Sequence, residues 1–186
     1  VTVRGADIKL DDEIGWDEVK ASVHTYASRI NAKTFFIESN FTNFLNHNSL
    51  AKNIKCIPDW WGNVQHGIWL AGFMALPAWQ YGVRGMLMAS DFSKAQMQGL
   101  QWGGLTPIIE NASWNNCTVN HASTNITRQE KINKLVSVYR ATGRATPLRV
   151  CYESRGGKNC SVCRKCSMTM LGLLAASLDY ELFGFS

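Results

Sequence analysis

The chain predicts an α/β fold: a mostly parallel sheet with helices on both faces and a four-cysteine zinc site near the C-terminus. Three observations carry this. Short apolar runs with strand character alternate with stretches of helical periodicity, the pattern of a parallel sheet crossed by helices. Apolar residues make up 46% of the 186 and charged residues only 18%, which gives a real core and excludes a disordered chain. Four cysteines fall within Cys151–Cys166, in CYESRGGKNCSVCRKC.

The elements follow in order. Val1–Arg4 reads as the end of a short strand, and Asp7–Glu13 as an acidic loop. Trp16, Val19, Val23, Tyr26, Ala27 and Ile30 recur at helical spacing. Thr34–Glu38 has a buried-strand pattern, and Asn43–Lys55 is a weak helix ending before Pro58. Asp59-Trp60-Trp61-Gly62 opens a long apolar helix to about Tyr81, closed by Gly82 and Gly85. Gly85–Ser90 is a central strand, 101–107 a loop, and Cys117–His121 a further strand. Thr127-Arg128-Gln129-Glu130 is a capping box for a helix with the stripe Ile132, Leu135, Val136 and Tyr139. Leu148–Val150 is a last strand delivering Cys151, and Arg164–Leu178 a closing helix. Residues 1–147 form the α/β domain, and 148–186 a zinc-binding segment packed on it.

Ligands of parallel sheets sit outside the carboxyl ends of the strands. Ser90-Asp91, His121 and Cys151 all fall at expected strand ends, so they are expected to share one rim.

Cys151-x8-Cys160-x2-Cys163-x2-Cys166 can enclose one ion tetrahedrally. Soft thiolates suit zinc or an iron–sulfur cluster. The ferredoxin-type run places its fourth Cys downstream and follows it with Pro. Here that ligand is upstream and no Pro follows Cys166, so zinc is the expected guest. With four protein ligands the site is closed and structural. Clustering argues against disulfides, and Cys56 and Cys117 are expected in the core. Arg149, Arg155, Lys158, Arg164 and Lys165 surround the cluster. They either contact phosphates or offset the charge of a tetrathiolate ion.

Other residues carry weaker signals. His66 lies in an apolar helix, where a hydrogen-bonded core residue is the commoner outcome. Asp7, Asp11, Asp12 and Glu13 either hold Mg²⁺ or form a solvated loop before a helix. Trp60, Trp61 and Trp102 either stack on a base or pack. Walker A, G-x-G-x-x-G and G-x-S-x-G motifs are absent.

A net charge of +5 and a pI near 8.9 are compatible with nucleotide or nucleic-acid partners. The longest apolar run, Ile68–Trp79, is shorter than the ~20 residues a membrane helix needs, and Pro77 interrupts it. No membrane association is expected. The N-x-[ST] triplets at Asn40, Asn111, Asn116, Asn125 and Asn159 read as chance matches in a cytoplasmic protein. An unpaired sheet edge would permit a homodimer.

Four blocks together resemble a known family. They are Gly5–Asp12, Asp59-Trp60-Trp61 through His66-Gly67, Thr127–Lys131, and Leu148–Ser154 with Asn159–Cys166. They look like uncharacterised relatives of 7-cyano-7-deazaguanine synthase, in the adenine nucleotide alpha-hydrolase (PP-loop ATPase) superfamily. The resemblance implies a Rossmann-like, HUP-type sheet. It also implies ATP- and Mg-dependent ligase chemistry forming a C–N bond on a small molecule or modified base. By position it places His66 and Asp91 as catalytic residues and Ser90, Asp59 and Trp61 against the nucleotide. The family's Ser-Gly-Gly-x-Asp-Ser pyrophosphate loop is absent from these residues. The expectation is therefore a part of a longer protein, inactive by itself. The loop 101–107 lacks the synthases' Tyr-Pro-Asp signature, so the deazaguanine substrate does not carry over. The alternatives from the residues alone are a zinc-stabilised module that binds nucleic acid and an iron–sulfur thiolation enzyme.

Overall fold

A computed structural model of the chain describes residues 1–114 and 116–186. Strand β1 is Thr2–Arg4, helix α1 Glu13–Arg29 and strand β2 Phe36–Glu38. Two short helices follow, α2 (Phe41–Phe44) and α3 (His47–Asn53). A π-helical turn over Trp61–Gln65 leads into α4 (His66–Phe73) and α5 (Ala75–Tyr81). Then come β3 (Gly85–Ala89), α6 (Lys94–Met97), α7 (Thr106–Asn111) and β4 (Thr118–Ala122). Helices α8 (Arg128–Thr142) and α9 (Arg164–Ala175) and a 3-10 turn (Tyr180–Phe183) close the order.

The contacts divide the chain into two compact units. One combines residues 1–40 with 129–186, and the other is 41–128. The 148–186 segment therefore shares a unit with the N-terminal strand and helix.

In the first unit β1 pairs with β2 in parallel, Thr2 opposite Phe36 and Arg4 opposite Glu38. The intervening α1 turns Trp16, Val19 and Ala27 inward, while Tyr26 and Ile30 from the same stripe stay exposed. Arg4 is 2% exposed. Its guanidinium holds Glu13 at 2.6 Å, Glu38 at 3.2 Å and the carbonyl of Leu10 at 2.5 Å. One buried cation thus fixes the end of each strand and the start of the helix. A second cluster in this unit joins Ile132 and Val136 of α8, Leu173 of α9, Phe183 and Phe185 with Cys151, Cys163 and Cys166.

In the second unit β3 pairs with β4 in parallel, Gly85 opposite Thr118 through Ala89 opposite Ala122. Met86 and Val119 face a core with Ala78, Ile109 and Cys117. The other face of this sheet is open, with Leu87 73% exposed. Pro77 has no N–H for the carbonyl of Phe73, and the expected long helix breaks there into α4 and α5. Gly82 closes α5 with left-handed φ of 62°. The π-turn is clamped by the loop after α6. Asn63 donates to the Gln101 carbonyl at 2.5 Å, and the Gly103 amide donates to the Gly62 carbonyl at 2.7 Å. The approach is close enough that a Cβ on Gly103 would stand 2.8 Å from the Val64 oxygen.

The strands are parallel, as the alternation predicts, but they form two two-stranded sheets. Among the described residues β3 pairs with β4 alone, so it is an edge strand and not a central one. Leu148–Val150 joins no sheet. Its backbone is taken up instead by the side chain of Asn159, which accepts from the amides of Val150 (3.0 Å) and Cys151 (3.3 Å) and donates to the Leu148 carbonyl (2.7 Å). Cys56 is exposed where a core position was expected, while Cys117 is buried. Among the described residues no helix is long and apolar enough to cross a membrane.

Candidate functional site

Each of the four cluster cysteines reaches the same point by a different route. Cys151 ends the extended segment that Asn159 holds. Cys160 and Cys163 form a tight turn, in which the Cys163 amide donates to the Cys160 sulfur at 3.2 Å. Cys163 then caps α9, and Cys166 lies in its first turn. The four sulfurs lie within 4.8 Å of one another. Individual separations are 3.5 Å (Cys163–Cys166), 3.9 Å (Cys151–Cys163) and 4.0 Å (Cys160–Cys166).

A tetrahedral ion with metal–sulfur bonds of about 2.3 Å sets its sulfurs about 3.8 Å apart. The set is therefore sized for one metal ion. A cubane cluster binds each cysteine to a different iron, which spreads the sulfurs more widely than this.

Electrostatics differ around the ring of sulfurs. Burial opposes ionisation of Cys151. The Ser154 hydroxyl and the amides of Cys160, Glu153 and Ser154 outweigh it and bring the thiol down to about 6. Burial and the neighbouring Cys163 push the Cys166 thiol up to about 12. One corner of the site is thus prepared as thiolate, and another yields its proton only to a cation.

The loop between Cys151 and Cys160 is anchored on α1. Asp12 caps that helix through the Gly15 amide and also accepts from the Gly156 amide, each at 3.0 Å. Arg155 pairs with Asp11 at 2.9 Å. Three of the acidic residues considered for Mg²⁺ thus have other work: Asp11 with Arg155, Asp12 with two amides, and Glu13 with Arg4. Of the basic residues, Lys165 stands 5.0 Å over the Tyr152 ring, and Arg149 donates to the Gly157 carbonyl.

In the second unit His66, one of the residues of the expected nucleotide site, packs against Trp102 and Trp61. His66 begins α4, its ring 4.7 Å from Trp102 and 5.7 Å from Trp61. Asp59, seven residues earlier, is exposed, and its amide donates to the Asn63 side-chain oxygen. Phe92, next to Asp91, sets its ring edge-on to Trp102 at 6.4 Å. Ser90 is buried, and its hydroxyl lies within hydrogen-bond reach of the Phe92 and Ser123 carbonyls. It shapes the loop rather than facing solvent. Asp91 is paired with Arg128.

The expected common rim is only partly formed. Ser90 follows β3 and His121 lies in β4, but Cys151 ends no strand. His121 is buried, its Nδ1 3.0 Å from the Thr106 hydroxyl. Thr106 borders a cavity of 580 Å³ with Lys94, Met97, Leu105, Pro107 and Glu110.

Sequence reasoning passed over Asn159, Arg4 and the Thr106–His121 pair. Asn159 had one visible signal: it directly precedes a ligand, where an amide side chain can brace the preceding backbone. Thr106 had none, because its partner lies fifteen residues on, and Arg4 had none, because its partners Leu10, Glu13 and Glu38 follow no helical or strand spacing. No protein-family model, curated protein or solved structure matches the chain.

Proposed function

We propose that this chain is the zinc-bearing part of a PP-loop-ATPase-like ligase. In this reading a carboxylate oxygen of a small molecule attacks the α-phosphorus of ATP and pyrophosphate leaves. A nitrogen nucleophile then displaces AMP to form a C–N bond. The observation that carries the reading is the four-sulfur set, whose spacing is the sharpest point of resemblance to that family and whose geometry suits one ion. Cys151, Cys160, Cys163 and Cys166 hold the zinc, which has no open position and braces the fold.

The chemistry then belongs to the second unit. Trp61 and Trp102 offer aromatic faces to a base, and Asp59 an acceptor beside it. His66, between those rings, takes the proton of the incoming nucleophile. Asp91 borders the phosphates, with Arg128 as the local cation, and Ser90 shapes the loop that presents Asp91. The 580 Å³ cavity is within the range of small-molecule sites. Its wall includes Leu105–Pro107, part of the loop the resemblance assigns to substrate, so it is the seat proposed for the small molecule.

Two measurements test this. Metal analysis of the purified protein should give one zinc per chain; iron in its place would remove the zinc assignment. A form of the protein carrying a pyrophosphate loop should bind ATP with Mg²⁺ and release AMP and pyrophosphate with substrate. Failure of that form to bind ATP would end the ligase reading.

A further inference from the structure

The basic residues near the metal centre fall into two groups. Arg155 and Lys165 are engaged, by Asp11 and by the Tyr152 ring. Lys158 and Arg149, the latter with its Nε on the Gly157 carbonyl, line a groove, and Arg29 from the last turn of α1 lines it too. Two cavities of 410 and 650 Å³ share Glu18, Ser22, Val23, Pro147, Leu148 and Arg149, and so run into one another along α1. From Glu18 to Arg29 that helix covers about 16 Å.

The charge in this groove is uneven. Arg29, Arg149 and Lys158 face a single acid, Glu18. Among the described residues, none of the three cations forms an ion pair. Between them the lining is apolar or carries hydroxyls. Val23, Leu135 and Leu148 are partly buried, Ser22 and Thr25 are exposed, and the Tyr26 ring is 51% exposed at the edge. Cations spaced along a groove, with apolar surface and an aromatic ring between them, suit a strand whose charge lies on its backbone and whose flat faces are free. Single-stranded nucleic acid has that chemistry. Duplex does not, because its bases are already stacked and paired.

We infer that the groove between α1 and the segment 146–149 binds single-stranded nucleic acid, with Arg29, Arg149 and Lys158 on its phosphates. This site is separate from the ligase reading and does not depend on it. The metal centre supports it by fixing the backbone at either end of the cysteine loop, where Arg149 and Lys158 sit.

The test is fluorescence anisotropy of the metal-loaded full chain with a labelled oligouridylate about eight nucleotides long. Three phosphate contacts on a single strand give a slope of log K against log salt of about −2. Arg29→Ala and Lys158→Ala should each weaken binding by roughly threefold or more and flatten the slope by about 0.7. Arg164→Ala removes a cation outside the groove and should change neither. Metal content is measured on each variant, and Arg29, which lies in the last turn of α1 and not in the metal loop, keeps the test valid if Lys158→Ala loses its ion. The proposal is overturned if the oligonucleotide does not bind, or if Arg29→Ala leaves the slope unchanged. It is equally overturned if Arg164→Ala matches the groove variants, if an RNA duplex binds as tightly, or if only anionic phosphatidylserine vesicles bind.

Discussion

Asp12 serves two places at once, the first turn of α1 and the loop that carries the metal ligands. The amides of Gly156 and Gly15 hold its carboxyl below the usual carboxylate range. A depressed folded-state pKa means that the carboxylate's stabilisation is present above the unfolded value of 3.8 and lost as pH falls through the lower folded one. Asp12→Ala should lower the melting temperature by about 2–4 °C, as the loss of a helix cap does in a chain of this size. The stability gap between wild type and Asp12→Asn should be constant above about pH 5 and shrink below it. A gap independent of pH in acid melts would refute this.

Cys166 makes the opposite case. Its proton is held tightly in the metal-free protein and must leave as an ion enters. Metal uptake should therefore release protons, and zinc affinity should fall from pH 8 to pH 6 in competition with a chromophoric chelator. Cys163→Ser, which removes the sulfur closest to two others, should reduce affinity by more than about a hundredfold.

Among the elements, the segment Leu148–Cys151 shows how far pattern alone reaches. Leu-Arg-Val has strand propensity, and nothing in it signals that a side chain will take over its backbone bonds. Asn159 bonds the Val150 and Cys151 amides and the Leu148 and Gly184 carbonyls, and so substitutes for a neighbouring strand. Asn159→Ala should cost about 2–4 kcal/mol, since it strands partly buried backbone groups. Asn159→Asp keeps the acceptor and should cost less in urea unfolding. If the two variants are equal, the clamp is not the cause.

The helices were more legible. Trp16 and Val19 of α1 and Ile132 and Val136 of α8 are buried as their periodicity indicates. Pro77 is visible as an interruption of the apolar run, though the expected helix runs through it, and the π-turn at Trp61–Gln65 leaves no mark in the sequence, because apolar periodicity looks alike whatever its backbone does. Such π-turns are frequent at functional sites, and this one carries Trp61 and leads directly to His66.

For the molecule as a whole, the cluster of four cysteines, which could hold a metal ion, was the most legible feature and the sheet the least. Three ligands lie within seven residues and the fourth nine residues before them, so local spacing suffices to recognise the site. Strand pairing depends on which distant segments meet, and strands of three to five residues hold too little pattern to say so. The two units have separate cores, and the metal ligands belong only to the first. Stripping the ion with a strong chelator should raise amide exchange in residues 129–186 and α1 while leaving β3 and β4 protected. Equal loss of protection in both units, measured by mass spectrometry, would contradict separate stabilisation.

The bond from Gly156 to Asp12 joins residues 144 positions apart. A ribosome adding about 5–20 residues per second takes roughly 7–30 s to make that stretch. Throughout that interval Trp16 and Val19 of α1 can already pack with Ile8, Val23 and Phe36, but Asp12 at the start of the helix lacks the cysteine loop that Gly156 brings to it. Residues 41–128 emerge complete in the meantime and can fold on their own schedule. Within these residues the first unit is finished last, after Cys166 has left the tunnel, so metal supply can set the moment at which α1 is secured.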